Sequence, residues 1–201
     1  MSSIQGVSCV ILTGGESKRM GMDKAQILLS GKTLLERVLE IVQPLFDDIM
    51  ISSRGSEPYM EGARFIKDSL PGRGPAVGLC AAIEEARHPF IFAIACDMPF
   101  VKSELIEYIA SYRKGFDIVV PLHGDKPEPL CAVYGIGSLR RLAKCVEAGK
   151  RGLVSFIEQT PELSVWKITE RETRKIDANL QSFADIDSPE ALLEAERMIE
   201  K

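Results

Sequence analysis

Apolar runs alternate with helical patterns along the first half of the chain. A helix is predicted over 33–42, where apolar residues recur on one face, and a second helix follows Asp97. Short apolar runs without this period are typical of strands buried on both faces of a sheet. They lie at 7–13, 49–52, 65–66 and 90–95. Strands and helices in alternation predict an α/β fold, with a mostly parallel twisted sheet and helices on both faces.

The second half of the chain has a different pattern. Shorter, partly mixed strands are predicted at 118–121, 130–134 and 165–168, with a loop at 123–128 and a helix over 138–148. A last helix is predicted from Pro189 to Ile199, because Ser188 is a good N-cap and Pro189 suits the first helical position. No internal repeat or linker divides the sequence, so we expect one domain over 1–201.

Composition narrows the range of partners. A formal net charge of −4 disfavours general binding to nucleic-acid phosphates, which needs a basic surface. The five scattered cysteines suit reduced thiols rather than a disulfide framework and favour a cytoplasmic location. The N-terminus lacks the pattern of an export signal, and no apolar run approaches the roughly 18 residues that span a bilayer. We therefore expect neither nucleic acid nor a membrane as a partner.

The loop after the first predicted strand carries two glycines and three cations. Gly14 and Gly15 allow a tight turn whose amides approach a ligand closely. Lys18, Arg19 and Lys24 would offset the charge of a polyphosphate. The spacing matches neither the Walker loop nor the dinucleotide fingerprint, and the glycine pair alone is more typical of an ordinary strand-to-helix turn. Together with its cations, the loop predicts a triphosphate cradle.

Asp97 is placed where an open α/β sheet binds ligands. It follows the fourth apolar run after a single residue, Cys96, and Met98-Pro99 then turns the chain out of the sheet. Ligands bind such sheets at the carboxyl ends of the strands, and Mg²⁺ takes one or two carboxylates plus substrate phosphates. Asp97 is therefore a candidate Mg²⁺ ligand. The alternative is a cap for the helix predicted near 103–112.

Two ordered segments extend these single features. Leu-Thr-Gly-Gly-x-Ser-x-Arg-Met-Gly-x-Asp-Lys at 12–24 and Cys-Asp-Met-Pro at 96–99 resemble segments of nucleotidyltransferases with the nucleotide-diphospho-sugar transferase fold. The resemblance is to the molybdenum cofactor guanylyltransferase family in particular. It implies a Rossmann-like architecture and transfer of GMP from GTP to the terminal phosphate of molybdopterin, with release of pyrophosphate and Mg²⁺ as cofactor.

The resemblance also implies partners and a division of labour. GTP and molybdopterin or Mo-molybdopterin would be the substrates, and molybdoenzymes or other cofactor-biosynthesis proteins would be further partners. The N-terminal half would bind the nucleotide and the C-terminal half the acceptor. A Gly-Gly pair at this place accompanies guanine use in the family, whereas pyrimidine-using relatives tend to have alanine before the glycine.

Site residues follow from the same resemblance. Arg19 and Lys24 are implied to act on the phosphates, and Asp97 is implied to bind the metal; these three are the catalytic residues. Those implied to bind the nucleotide or its metal are Leu12, Thr13, Gly14, Gly15, Lys24, Ser53, Asp68 and Asp97. Ser53 stands where the family often has an asparagine, and a serine has one donor against two.

Asp68 resembles the family's acid that contacts the nucleotide. On its own residues, an Asp-Ser pair before Pro-Gly is mostly turn chemistry. The segment Gly74-Pro75-Ala76-Val77-Gly78 that follows resembles the Gly-Pro-x-x-Gly loop that closes over the nucleotide. Arg73, just before it, is an implied phosphate contact.

Asp185 and Asp187 are the clearest departure from the family, which usually has Asn-x-Asn-Thr-Pro at this place. Aspartates here are more typical of sugar, alditol and cytidylyl relatives, so a cytidylyl- or sugar-phosphate nucleotidyltransferase on the same fold is the alternative function. A nucleotide or pterin carrier without catalysis is the non-enzyme alternative. The two aspartates have three possible roles: binding a second Mg²⁺, contacting the acceptor, or capping the last helix.

Four further polar residues are weaker candidates. Lys150 and Arg151 either complement a helix C-terminus or contact the pterin phosphate. His88 precedes a proline and His123 lies in a polar loop, and neither has a partner acid at a recognisable spacing. Both histidines are therefore expected to be structural or surface residues.

Overall fold

The apolar run at 7–12 forms the central strand of an eight-stranded sheet, in a computed structural model that describes residues 4–13, 16–17, 22–53, 60–67, 70, 72 and 74–199. The strands are β1 Val7–Leu12, β2 Glu16–Ser17, β3 Met22–Asp23, β4 Leu28–Leu29, β5 Lys32–Thr33, β6 Ile49–Ser52, β7 Arg64–Ile66, β8 Phe90–Ala95, β9 Ile118–His123, β10 Lys126–Pro127, β11 Cys131–Gly135 and β12 Val165–Ile168. The α-helices are α1 Leu34–Val42, α2 Pro75–Glu85, α3 Ser103–Ser111, α4 Ile136–Glu147, α5 Leu153–Gln159, α6 Glu170–Thr173 and α7 Pro189–Ile199.

The sheet is parallel in its first half and mixed in its second. Its strand order is β10-β9-β11-β8-β1-β6-β7, and β12 pairs with β9. Strands β8, β1, β6 and β7 run parallel to one another, and β12 runs parallel to β9. Strand β11 is antiparallel to both of its neighbours. The predicted α/β fold is confirmed, including the mixed strands of the second half.

Helices cover both faces of this sheet. Cys9 and Ile11 of β1 point into a core shared with α1 and α3, while Val10 and Leu12 point into a core shared with α2, α4 and α5. Because successive residues of a strand face opposite sides, a strand covered on both faces must be apolar throughout. All six residues of β1 are accordingly buried, and Ser8, the one polar residue among them, donates a hydrogen bond from its hydroxyl to Asp48.

Side-chain caps define the starts of helices α1 and α7, and the start of α3 decides whether Asp97 is a cap. Thr33 accepts a hydrogen bond from the amide of Glu36 at the start of α1, and the Glu36 carboxylate accepts one back from Thr33 N. The Ser188 hydroxyl accepts a hydrogen bond from the amide of Ala191 in α7, as the sequence predicts. Helix α3 begins after Lys102, five residues beyond Asp97, so Asp97 is not its cap.

A buried carboxylate organises the amino-terminal ends of the parallel strands, on the side of the sheet opposite to their carboxyl ends. Asp48 accepts hydrogen bonds from the Ser8 hydroxyl, the Arg64 guanidinium and the amide of Arg87. Burial raises the pKa of Asp48, but these hydrogen bonds outweigh it and hold the pKa below its ordinary value. This network lies away from the carboxyl ends of β1, β6 and β8.

The structure corrects one sequence-based expectation and adds detail to another. The predicted loop at 123–128 contains β10, whose Lys126 and Pro127 pair with the end of β9. The two histidines, expected to be structural or surface residues, each lie near a carboxylate: His88 Nε2 is 2.8 Å from Asp47 Oδ1, and His123 Nδ1 is 3.9 Å from Glu128 Oε2. Folding creates the first contact, since 41 residues separate His88 from Asp47.

The cysteines and helices bear on two further expectations. All five cysteines are free, and four of them are buried. Burial raises the pKa of the Cys9, Cys80 and Cys131 thiols, which leaves them protonated at neutral pH. Within the described part of the chain, no helix is both long and apolar enough to cross a membrane.

Candidate active site

Backbone hydrogen bonds gather the ends of the parallel strands at one edge. The amide of Thr13 donates to Ser52 O over 3.2 Å, and the amide of Cys96 donates to Leu12 O over 3.1 Å. The Thr13 hydroxyl also donates to Ser52 O, over 2.8 Å. The residues that follow β1, β6 and β8 therefore share one small region, which is where the parallel arrangement predicts a ligand site.

Lys24 and Asp97 meet at this edge. Lys24 Nζ lies 2.6 Å from Asp97 Oδ2 and donates a hydrogen bond to it, and the two side chains are only 18% and 15% exposed. Burial lowers the pKa of Lys24, but the hydrogen bond and charge of Asp97, with further contributions from Cys96 and Asp187, raise it above its ordinary value. The Lys24 ammonium is therefore charged at neutral pH.

Asp185 and Asp187 lie beside the same pair. The amide of Ile186, between them, donates a 2.9 Å hydrogen bond to the backbone carbonyl of Asp97. The charge of Asp187 helps to raise the pKa of Lys24, and the charge of Asp185 helps to raise the pKa of Glu128. The fold thus brings the Asp-Ile-Asp segment, which differs from the family pattern, next to the predicted metal ligand, although almost ninety residues of sequence separate them.

Glu128 is an additional acidic residue of this edge. Its side chain is 29% exposed, and its carboxylate faces His123, whose ring lies 5.3 Å from the ring of Phe183. Burial raises the pKa of Glu128, and the charges of Asp185 and Asp97 add to this effect while His123 opposes it. A carboxyl group with this environment lies next to the proposed reaction centre and is not one of the residues predicted from sequence.

Two glycines of the Gly-Pro-x-x-Gly segment shape the start of α2. Gly74 is the N-cap with φ of 114°, in the region that favours glycine. A Cβ on Gly78 would lie 2.5 Å from Ser52 Oγ and 2.9 Å from Leu12 Cδ2. Gly78 thus lets the first turn of α2 approach the ends of β1 and β6 closely.

Arg151 reaches the same side of the molecule from the C-terminal half. A Cβ on Gly72 would lie 2.3 Å from Arg151 Cζ, so the guanidinium lies flat against this glycine. Lys150 follows α4, and its amide donates to Cys145 O. This contact puts the charge of Arg151 beside the glycine-rich connection that precedes α2.

Leu12, Thr13, Ser53, Lys24 and Asp97 are the predicted site residues that the structure describes. Ser53 is half-buried after β6, and its amide donates to Ile66 O. The predictions for Gly14, Gly15, Lys18, Arg19, Asp68 and Arg73 lie outside the described residues.

Comparison with known proteins decides the family. The family model described as "MobA-like NTP transferase domain" matches residues 9–163, which is more than half of the chain. The chain belongs to this family. Nucleotidyl transfer is the chemistry for which the family is named, and the site above lies within the matched segment except for Asp185 and Asp187.

Relatives of the MobA-like family match almost the whole chain. The protein of Desulfosudis oleivorans named "Molybdenum cofactor guanylyltransferase" is 34% identical over 98% of this chain and 97% of its own length. That of Pelotomaculum thermopropionicum, named "Probable molybdenum cofactor guanylyltransferase", is 32% identical over 95% and 92%. The crystal structure of molybdopterin-guanine dinucleotide biosynthesis protein A from Archaeoglobus fulgidus has a TM-score of 0.83 at 32% identity, covering 96% of this chain and 98% of its own.

The donor set of this MobA-like site suits Mg²⁺. Its charged groups offer carboxylate oxygens, the ligands that hard cations prefer, and a cation already stands on Asp97 in the form of the Lys24 ammonium. The described residues contain no cluster of three or more His, Cys, Asp and Glu side chains that could hold a metal by themselves. A site completed by substrate phosphates needs only one or two carboxylates, so Asp97 with a neighbour fits that arrangement.

Proposed function

We propose that the chain is a single-domain, cytoplasmic guanylyltransferase that transfers GMP from GTP to the terminal phosphate of molybdopterin or Mo-molybdopterin and releases pyrophosphate. The observation that carries the proposal is the close contact of Lys24 with Asp97 at the carboxyl ends of β1 and β8. At the end of the sheet where ligands bind, a cation that can contact phosphates and a carboxylate that can hold a hard metal ion suit a nucleotide with a bound metal. The names of the full-length relatives supply the acceptor.

The chain's residues would work on charge rather than on proton transfer. The acceptor is a phosphate monoester with a second pKa of about 6, so it is largely a dianion at neutral pH and needs no general base. The barrier lies in bringing two polyanions together, which positioned cations lower. Arg19 and Lys24 would bind the phosphates. Asp97 would hold Mg²⁺, which when bound neutralises charge on the α-phosphoryl group and the leaving pyrophosphate.

Nucleotide recognition would fall to the ends of β1 and β6. The backbone of Leu12, Thr13, Gly14 and Gly15 would line the base and ribose, with Ser53 and Asp68 as hydrogen-bonding side chains. The Leu12 carbonyl and the Thr13 amide already take part in the hydrogen bonds that join the strand ends, which fix the position of this stretch of backbone. Arg151 would bring a charge from the acceptor half to the glycine-rich connection, where it can contact a phosphate.

A cytidylyl- or sugar-phosphate nucleotidyltransferase is the second candidate. Asp185 and Asp187 favour it, since they stand beside Asp97 where the guanylyltransferases usually have asparagines. The two candidates share the nucleotide half of the site and differ in base and acceptor.

One assay separates the candidates. Pyrophosphate release is measured with each of the four NTPs, in the presence of Mg²⁺, with molybdopterin, with an alditol or sugar phosphate, or without acceptor. We expect release with GTP and molybdopterin only, because a site that hydrogen-bonds one base leaves polar groups unpaired with another. Preference for CTP with an alditol or sugar phosphate would establish the second candidate, and tight GTP or pterin binding without release would indicate a carrier.

A further inference from the structure

The chain returns to Asp97 through a segment that is fastened at two points. This return segment, residues 177–187, lies beside the exit loop, residues 97–102, which leads from the end of β8 to α3. At one end the amide of Ile186 donates to Asp97 O over 2.9 Å. At the other end the amide of Lys102 donates to the Ser182 hydroxyl over 3.1 Å. The two segments therefore run side by side in opposite directions.

Asp177 is the buried anchor of this arrangement. Its side chain is 1% exposed, and its Oδ2 accepts a 2.7 Å hydrogen bond from the amide of Ser182. Its Oδ1 lies 3.3 Å from Lys102 Nζ, an ion pair whose geometry does not make a hydrogen bond. Lys102 Nζ also donates to Ile176 O over 3.3 Å. One carboxylate thus ties together the start of the return segment and the end of the exit loop.

The charge of Asp177 is compensated within this cluster. Burial raises the pKa of Asp177, but hydrogen bonding from Ser182 and the charge of Lys102 outweigh it and hold the pKa below its ordinary value. Asp177 is therefore ionised at neutral pH. A buried ionised carboxylate with fixed partners resists rearrangement, because moving any partner would leave its charge uncompensated.

We propose that Asp177 is a positioning residue that acts through the return segment, holding Asp185 and Asp187 beside Asp97 for the metal-dependent reaction. Ile186 lies near the end of the return segment, so displacing the start of the segment by loss of Asp177 would release the contact between Ile186 and Asp97. Ordering the acidic side chains before substrate arrives lowers the cost of assembling the site. The role in the reaction rests on the proposed function, whereas the placement of the segment does not.

The test compares Asp177→Asn with Asp48→Asn. Both residues are buried carboxylates that bind a backbone amide and a cationic side chain, but Asp48 lies at the other edge of the sheet. Native-state hydrogen exchange should be roughly tenfold faster at the amide of Ile186 in Asp177→Asn, with the amide of Arg87 unaffected. Asp48→Asn should give the reverse. Unchanged exchange at Ile186 in Asp177→Asn would overturn the proposal.

A milder pair covers the case in which Asp177→Asn does not fold. Ser182→Ala removes the acceptor for the Lys102 amide, and Ser138→Ala is its control, because Ser138 is another buried serine with one hydrogen bond, to Gly135 O. We expect the amide of Ile186 to exchange faster than in wild type in Ser182→Ala and at the wild-type rate in Ser138→Ala. Equal exchange at Ile186 in these two variants would also overturn the proposal.

A metal readout links the placement to the site without relying on turnover. Mn²⁺ binding with GTP present, followed by electron paramagnetic resonance, should weaken several-fold in Asp177→Asn or Ser182→Ala and stay unchanged in their controls. Equal Mn²⁺ affinity in all variants would overturn the positioning role. If the wild-type protein transferred no GMP to molybdopterin, the proposed function would fail, yet exchange at Ile186 and Mn²⁺ affinity would still decide the role of Asp177.

Discussion

Lys24 donates a 2.6 Å hydrogen bond to Asp97, although 73 residues separate them. The lysine supplies the positive charge that compensates the carboxylate in a largely buried place. A metal on Asp97 and a phosphate on Lys24 would replace this contact with two others. In the proposed function the pair would therefore couple the two binding events, because a metal on Asp97 would leave Lys24 without its carboxylate and a phosphate on Lys24 would leave Asp97 without its cation.

Removing Lys24 should have opposite effects on metal binding and on turnover. In Lys24→Ala, Asp97 loses its competing cation, so Mn²⁺ should bind the nucleotide-free protein more tightly than it binds wild type. Turnover should fall by roughly 10²-fold, because a fixed cation is missing where charge develops on the phosphates. Calorimetric titration with Mn²⁺ and a pyrophosphate-release assay measure the two effects.

Lys32→Ala is the matched control for that experiment. Lys32 also forms a 2.6 Å ion pair, with Glu40, but both side chains are about half exposed and lie on the surface. Exposed ion pairs contribute little to stability. Lys32→Ala should leave metal binding and turnover unchanged, and a weaker Mn²⁺ affinity in Lys24→Ala would contradict the competition between Lys24 and metal.

The sequence predicts the Lys24 and Asp97 side of the candidate site better than the Asp185 and Asp187 side, for a physical reason. Lys24 and Asp97 each follow a strand or loop whose pattern is local, and parallel strands necessarily bring their ends together. The contact between Ile186 and Asp97 has no such local signal, because it depends on how the last ninety residues fold back over the sheet. That path includes α5 and α6, two short helices that were not predicted.

Glu128 shows the same limit at one residue. A polar loop at 123–128 is all that its neighbourhood suggests in sequence. Its position beside His123 follows from the hairpin of β9 and β10, in which the chain turns back so that Glu128 comes close to His123. The one local hint is that Glu-Pro-Leu stands directly before the apolar strand β11. Because β11 is antiparallel to β8, a residue just before β11 lies near the carboxyl end of β8 and can face the site.

Asp97→Asn should lower turnover by roughly 10²-fold or more while the protein stays folded. The amide keeps the size of the side chain but removes the charge that anchors a strongly hydrated cation. The Mg²⁺ concentration for half-maximal pyrophosphate release should rise accordingly. Asp47→Asn makes the same change on an exposed aspartate at the other edge of the sheet and should have no effect. Wild-type activity of Asp97→Asn at ordinary Mg²⁺ concentration would remove Asp97 from the site.

Asp187→Asn and Asp185→Asn should differ in what they change. Lys24, the partner of Asp97, feels the charge of Asp187, so Asp187→Asn should raise the Mg²⁺ requirement. The charge of Asp185 raises the pKa of Glu128 instead. Asp185→Asn should therefore lower the KM for the phosphate acceptor, because it removes a repelling negative charge, and should leave the Mg²⁺ requirement unchanged. Helix capping is not expected to explain either result, because Ser188 caps α7. A higher Mg²⁺ requirement in Asp185→Asn would assign both residues to the metal.

Glu128→Gln should stabilise the protein increasingly as the pH rises. Burial, with the charges of Asp185 and Asp97, raises the pKa of Glu128 above the value of 4.5 that it would have in the unfolded chain. The folded protein therefore holds this proton to higher pH than the unfolded chain does. The stability contributed by the protonated form is complete below pH 4.5 and is lost as the pH rises through the folded-state pKa. Glutamine stays neutral and has no such loss, so the urea midpoint of Glu128→Gln relative to wild type should increase between pH 4 and 7, by an amount that then levels off. Glu162→Gln, at an exposed glutamate, corrects for the loss of one negative charge. A relative midpoint that fell with rising pH would mean that the ionised form of Glu128 is the one that the fold prefers, with His123 outweighing burial and the two aspartates.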